Sequence, residues 1–584
     1  MKKYTLYIIG VLLLSSCIHE ETMLNGIGQS DIQNNAATQK SLLYGLSDYM
    51  VSENSYQSTE SYYYWDWGYP CFMHYRDICG EDYPICTDNS YDIWTYKESA
   101  DGGDGYEEYD YNFYYRLIKN CNNLIASIDT IDAAEESLRY YGQALTFRAM
   151  AYLDLARMFE FKPTGFTALD AEATENDIWG LTVPWVDENT TDDDLLNNPR
   201  LEYFDMYSRI LKDLYTALRF EPTTWETDDK SLPGRQAAYG MLARTWLEIA
   251  SRLDETEHSD SPLLDGFVDS LKSYKSKYPE AATLLDIEDA SGAYQKASDY
   301  ADSVLSLNTS IMSQTEWHNP TTGFNTATGS WIWRMRIGDK AQLPSQYFSF
   351  PSWLCSEATN GMAYTYSAWR CISDKLYSKI SDDDWRKTSW IDPADAGKSD
   401  AATRTKYNTL LSGYSFSKIC SYANLKFRPG QGDTLTSRNW LIGDQPLMRV
   451  EEMYFIKAEA QCMLGGATAG LQVIRPLLNA RSKNGTWAVS PAMVASKKAF
   501  VDELIRQKRI EFWGEGITYF DTKRLNIQVD RRDEQNCPDD YRIAGQLGRY
   551  CAGWLNFFIP ANETDRNQGC IANPNPNKRE YVLR

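Results

Sequence analysis

The sequence predicts a mostly α protein of tetratricopeptide-like helical repeats, about four helix pairs, with a long loop-rich insert and minor β. Three observations carry that expectation. Eight segments repeat apolar residues at spacings of three and four, the period of one helix face. Small residues stand where partner helices would cross: Ala144, Ala149, Ala151, Ala238, Ala243, Ala297, Ala301, Ala458 and Ala460. One long interval, 308–446, breaks the helical rhythm with aromatic and hydroxyl-rich sequence.

The helices follow in order. Tyr111 to Ile128 precedes Leu138 to Phe159, where Ala144, Phe147, Ala151, Leu155 and Phe159 share a face. The second pair carries Phe204, Tyr207, Leu211, Leu214 and Leu218, then Ala238, Met241, Leu242, Trp246 and Ile249. Tyr294 to Leu307, with Ala297, Ala301 and Val304, pairs with Met448 to Leu464, with Val450, Met453, Ala460 and Met463. Gly470 to Ala480 and Phe500 to Trp513 close the series. The third pair is split by 308–446, and a connection that long must carry structure of its own. Inside it, Trp331-Ile332-Trp333-Arg334-Met335-Arg336 alternates like a strand. Tyr56 to Tyr96 has a similar aromatic texture.

The start of the chain reads as a leader. Lys2 and Lys3 precede the apolar run Tyr4 to Leu14, which is too short to span a bilayer. Leu14-Ser15-Ser16-Cys17 resembles a bacterial lipobox. That resemblance implies cleavage before Cys17, a diacylglyceryl group on its thiol and a further acyl chain, palmitate, on its amine. Two or more chains anchor stably, since each buried CH₂ contributes about 0.8 kcal/mol. The expected division is a signal peptide at 1–16, a tether at 17–35, an N-terminal part at 36–290 and a C-terminal part at 291–584 that includes the insert.

A net charge of −23 argues against nucleic acid and anionic membrane surfaces as partners. The chain has 18 Trp and 41 Tyr; a large core accounts for such rings, and tyrosine at this level, in loops as well as helices, also suits sugar stacking or protein interfaces. Of 12 cysteines, Cys71, Cys79 and Cys86 form one group along the chain and Cys537, Cys551 and Cys570 another; outside the cytoplasm some could pair, and the sequence leaves the pairing open. No C-x-x-C spacing points to zinc, and Cys121 and Cys462 read as core. The four histidines, His19, His74, His258 and His318, form no metal or catalytic motif. Thr191 to Asp194 and Ser381 to Asp384 offer oxygen ligands for calcium, but neither has EF-hand spacing. Both are read as solvated loops, and no cofactor or metal is expected.

Several segments, in order and spacing, resemble the SusD/RagB family of outer-membrane nutrient-binding lipoproteins. Gln143 to Tyr152 with Leu155 and Phe159 is similar to the first repeat helix, and Gly180-Leu181-Thr182-Val183-Pro184 to the loop after it. Asp213-Leu214 with Ala217-Leu218, and Arg449 to Tyr454 with Ala458-Glu459-Ala460, are similar to later helices. The most specific stretch is Arg509-Ile510-Glu511-Phe512-Trp513-Gly514-Glu515-Gly516, continued by Phe520 to Arg524. Phe558 to Glu563 resembles the closing motif. Gln507 stands where a glutamate is usual and Thr518 where an arginine is usual. Gly514 and Gly516 are expected to end the last helix, over an ion-pair cluster of Glu511, Glu515, Asp521 and Arg524.

The resemblance implies a lipid-anchored protein on the extracellular side of the outer membrane. It would capture a glycan and deliver it to a SusC-like TonB-dependent transporter, the helices facing the transporter and the insert the ligand. Open sugar sites need exposed aromatic platforms with polar edges, and the candidates are Trp65, Trp67, Trp94, Trp353, Tyr366 and Trp369. Trp246, Trp331 and Trp513 are assigned to packing. Three alternatives stand: a RagB-like peptide-uptake protein, a repeat protein that only binds other proteins, and a surface glycoside hydrolase with two carboxylates ~5–10 Å apart. No nucleophile or metal motif supports the hydrolase, so no enzymatic activity is expected.

Overall fold

The computed structural model describes residues 35–53, 65–86, 105–220, 229–254, 266–343, 347–435, 438–575 and 581–584. The leader, Cys17, most of the tether, His19, His258 and Trp94 lie outside them.

Asn35 caps the first helix, α1 (Ala36–Tyr49), its side chain accepting from the Ala37 and Thr38 amides. The other principal helices are α2 (Tyr69–Cys79), α3 (Gly105–Ala126), α4 (Glu135–Phe159), α5 (Tyr203–Arg219), α6 (Arg235–Leu253), α7 (Ala290–Leu307), α8 (Val450–Gly465), α9 (Ala467–Arg481), α10 (Lys497–Glu511) and α11 (Thr518–Arg524). All eight helices expected from periodicity are present. They form a continuous stack rather than separate pairs: α3 lies on α4, α4 on α5, α6 on α7, α7 on α8, and α8 on α9 and α10. Every alanine named above is fully buried, so the small side chains stand at close helix approaches. Gly240 of α6 shows the same demand, since a Cβ there would meet the Met448 sulfur at 2.2 Å.

Two small antiparallel sheets complete the frame. β1 (Leu181–Pro184) pairs with β2 (Arg200–Glu202), and β3 (Trp331–Ile337) with β4 (Gly443–Arg449). Ile337 faces Gly443 and Trp331 faces Arg449, so the 308–446 segment leaves and rejoins the helical stack on one ribbon. Trp331, Trp333, Met335 and Ile337 are buried, as the alternation predicts.

The main core runs from Leu43 to Cys570. A second, smaller core gathers Trp369, Cys371, Ile391, Tyr407, Phe416 and Leu425 inside the 308–446 segment. No described helix is long and apolar enough to cross a membrane. No disulfide forms among the described cysteines; Cys71 and Cys79 are buried in α2, and Cys121 and Cys462 are core.

Candidate functional site

Four of the six proposed platforms are core residues. Trp65, Trp67, Trp353 and Trp369 have exposures of 7%, 2%, 0% and 5%. That corrects their reading as open sugar platforms. Trp67 packs beside His74, and Trp353 lies between His74 and the guanidinium of Arg370. Trp369 meets Tyr364 edge-on in the smaller core. A large ring gains more by full burial than by standing in solvent, and local sequence does not separate the two outcomes. Trp246, Trp331 and Trp513 are buried as expected.

Tyr366 is different: half of it is exposed, at 50%. It follows the short helix Met362–Thr365, and the next residue, Ser367, turns the chain in the left-handed region at φ 56°. Tyr347 meets the Tyr366 ring nearly edge-on, with centroids 5.9 Å apart. Tyr414, which the sequence did not single out, is 75% exposed. It sits on the helix Gly413–Phe416, capped by Ser412. The Tyr364 hydroxyl donates to Ser415 O at 3.4 Å, tying the two tyrosine-bearing turns together. Leu410 and Leu435 are exposed on the same segment. Asn360 Nδ2 donates to Leu435 O at 2.6 Å, and the Thr359 amide donates to Thr434 O at 3.1 Å.

Exposed rings and aliphatic side chains edged by Asn360, Thr365 and Ser367 offer what a sugar presents: C–H faces for stacking and hydroxyls for hydrogen bonding. An open hollow of about 330 Å³ lies on the same segment, lined by Gln314, His318, Asn319, Thr388, Tyr407 and Asn408. Burial, helped by Arg428, brings the His318 pKa down to about 3, so its ring is a neutral hydrogen-bonding group there. Of the eight non-glycine residues with positive φ among the described residues, six lie in 308–446: Phe324, Ser367, Asn408, Tyr422, Gln431 and Arg438. Backbone held in that region is sustained only where its surroundings over-determine it.

A buried ionic clamp fixes this segment to the helices. Arg386 donates to Glu511 Oε2 at 2.9 Å, to Asp384 Oδ2 at 2.7 Å and to Gln507 Oε1 at 2.6 Å. Lys426 Nζ donates to Glu515 Oε1 at 2.6 Å and to the carbonyls of Glu511 and Trp513. Arg449 and Arg481 complete the set on the scaffold side. Burial alone would raise the Glu511 carboxyl, but Arg481, Arg449 and Arg386 outweigh it and hold it well below the usual range. Burial brings the Lys426 pKa down to about 8, against the pull of Glu515.

The single cluster expected around Glu511 is two. Glu511 and Glu515 belong to this clamp, whereas Asp521 and Arg524 pair with Lys508 and Glu459 elsewhere. Gln507 gives Arg386 a neutral acceptor where a glutamate would add a charge. The acidic runs also differ from expectation in part. Thr191 to Asp194 is an exposed capping box, but Asp384 is fully buried on Arg386.

A larger hollow, about 570 Å³, lies between Lys375, Lys379 and α10, lined by Glu81, Asp502, Glu503, Arg506 and Arg509. Its charges largely pair with one another, and no aromatic ring lines it.

Known proteins with this architecture are numerous. Residues 74–247 match a SusD-like family model described as starch-binding and associating with the outer membrane, and 383–575 match the model of the SusD family. No curated protein matches. Among solved structures, a SusD-like carbohydrate binding protein of Bacteroides vulgatus aligns at TM-score 0.64 with 19% identity, over 92% of this chain and 97% of its own. A SusD superfamily protein of Bacteroides thetaiotaomicron aligns at 0.60 with 17% identity, over 92% and 100%. A SusD-like protein of Bacteroides fragilis aligns at 0.61 with 13% identity, over 94% and 98%. With both family models matched in order along a tetratricopeptide-like stack, the chain belongs to the SusD/RagB family.

Proposed function

We propose that this protein captures a glycan at the outer surface of the outer membrane and passes it to a SusC-like TonB-dependent transporter. The observation that carries the reading is the exposure of two tyrosines, Tyr366 and Tyr414, on a segment locked to the helical stack by buried ion pairs. Two further facts support it. One family model is described as starch-binding and associating with the outer membrane, and one structural neighbour is called a carbohydrate binding protein. In this reading Cys17 carries the lipid anchor, the helical stack faces the transporter, and the protein binds its ligand without turning it over.

Affinity electrophoresis through gels cast with plant, host and microbial glycans tests the ligand class. Retardation by at least one glycan is expected. Mobility unchanged by every glycan, together with binding to a peptide panel, would replace glycan by peptide as cargo. Mass spectrometry of the protein from its native membrane tests the anchor, with a triacylated N-terminal Cys17 expected.

A further inference from the structure

Three thiols from distant parts of the sequence meet beside the Tyr366 turn. The sulfurs of Cys86, Cys371 and Cys420 lie within 4.8 Å of one another. Cys371 Sγ and Cys420 Sγ are 3.7 Å apart. The backbone imposes this meeting. The Cys371 amide donates to Pro84 O at 2.8 Å and the Cys86 amide to Trp369 O at 3.4 Å. Cys371 also bridges to Ala423, close after Cys420. Two carbonyls stand at the cluster: Ser367 O is 3.4 Å from Cys86 Sγ, and Trp369 O is 3.6 Å from Cys371 Sγ.

The spacing suits a metal. With metal–sulfur bonds of about 2.3 Å, the thiolates of a tetrahedral site stand about 3.8 Å apart. The observed Cys371–Cys420 separation matches that edge. Any single disulfide would leave the third thiol over. The charges also fit. Thiolates gathered around the fully buried Cys371 need a cation to offset them. Arg370, fully buried, lies next to the group.

We infer that Cys86, Cys371 and Cys420 form a site for one thiophilic divalent cation, Zn²⁺ above all, with a water or a neighbouring carbonyl as fourth ligand. On binding, each thiol gives its proton to solvent and its sulfur lone pair to the metal. One Zn²⁺ therefore releases three protons and leaves a complex of charge −1, offset by Arg370. No electron is transferred. The bound ion would tie Cys86 to the smaller core of the 308–446 segment and hold the turn that presents Tyr366. The inference stands on the sulfur geometry and is independent of what the protein captures.

The test is titration of the purified full-length protein, reduced and stripped with a chelator, with Co²⁺ as a visible probe and then Zn²⁺. One equivalent of Co²⁺ should give a thiolate-to-cobalt charge-transfer band and the strong d–d bands of a tetrahedral site, and one equivalent of Zn²⁺ should bleach both. Cys86→Ser and Cys420→Ser, at partly exposed positions, should weaken binding by more than the roughly 10–100-fold that loss of an outer-shell partner costs. Cys121→Ser, in the core of α3, should leave the bands intact. Absence of the charge-transfer band in the wild-type protein overturns the inference. So does a band that survives both serine variants, or isolation as a Cys371–Cys420 disulfide whose reduced form binds no cobalt.

Discussion

Arg449 holds Glu515 in a two-pronged grip: Nε donates to Oε2 and Nη2 to Oε1, each at 2.9 Å, with both side chains buried. The pair joins the end of β4 to the turn after α10. Breaking one side strands the other as an unpaired buried charge. Glu515→Ala is therefore expected to cost about 3–5 kcal/mol, read from urea unfolding. Arg449→Lys keeps the charge but loses the fork, and should fall between that variant and the wild type. Equal stability of all three proteins would refute the clamp.

Asp77 makes the fold sensitive to pH. Burial pushes its pKa up to about 8, although the Gly516 amide donates to its Oδ2 at 2.9 Å. The unfolded chain releases this proton near pH ~4. Between those values the folded state holds more protons than the unfolded, so stability falls as pH rises. Asp77→Asn keeps an acceptor for Gly516 and removes the titration. Its stability relative to wild type should climb from about pH 4 to about pH 8, by an amount on the order of a few kcal/mol. A difference independent of pH would show that Asp77 is ionised in the folded protein.

Gly516 lies where no other residue fits. Its φ is +69°, and a Cβ would sit 2.4 Å from the Met73 Cα. Gly516→Ala combines left-handed strain with overpacking and should cost about 2–5 kcal/mol. A cost below ~1 kcal/mol in thermal or urea unfolding would mean that α2 yields to the added methyl group.

Trp353 and Tyr366, grouped together by sequence, should now behave oppositely. Trp353→Ala empties a fully buried site and should cost about 3–5 kcal/mol. Tyr366→Ala, at an exposed site, should change stability by no more than about 0.5 kcal/mol. Similar losses for both would contradict the burial pattern.

The helical stack was legible because amphipathic period and small crossing residues are local signals: the faces of Leu138 to Phe159 and Tyr294 to Leu307 read directly as α4 and α7. β3 was legible for the same reason, as Trp333, Met335 and Ile337 alternate with Arg334 and Arg336. α2 was missed because every one of its residues is buried, which leaves no polar face to set a period. The site was less legible. Trp65 and Trp353 have the composition of a sugar platform, but their burial depends on partners far away in sequence. Tyr414 gave no signal beyond its Gly and Ser neighbours. The Cys86, Cys371 and Cys420 cluster has no sequence spacing at all, since two separate strand-like bridges assemble it.

The central claim, that the exposed rings of Tyr366 and Tyr414 hold a glycan, is tested most directly by calorimetric titration of a retarding glycan into wild-type protein and the Tyr366→Ala/Tyr414→Ala double variant. An aromatic side chain buried on binding contributes on the order of 1.5–3 kcal/mol, so the double variant should bind at least about tenfold more weakly while unfolding as the wild type does. Equal affinity of the two proteins would contradict the account and place the ligand elsewhere on the molecule.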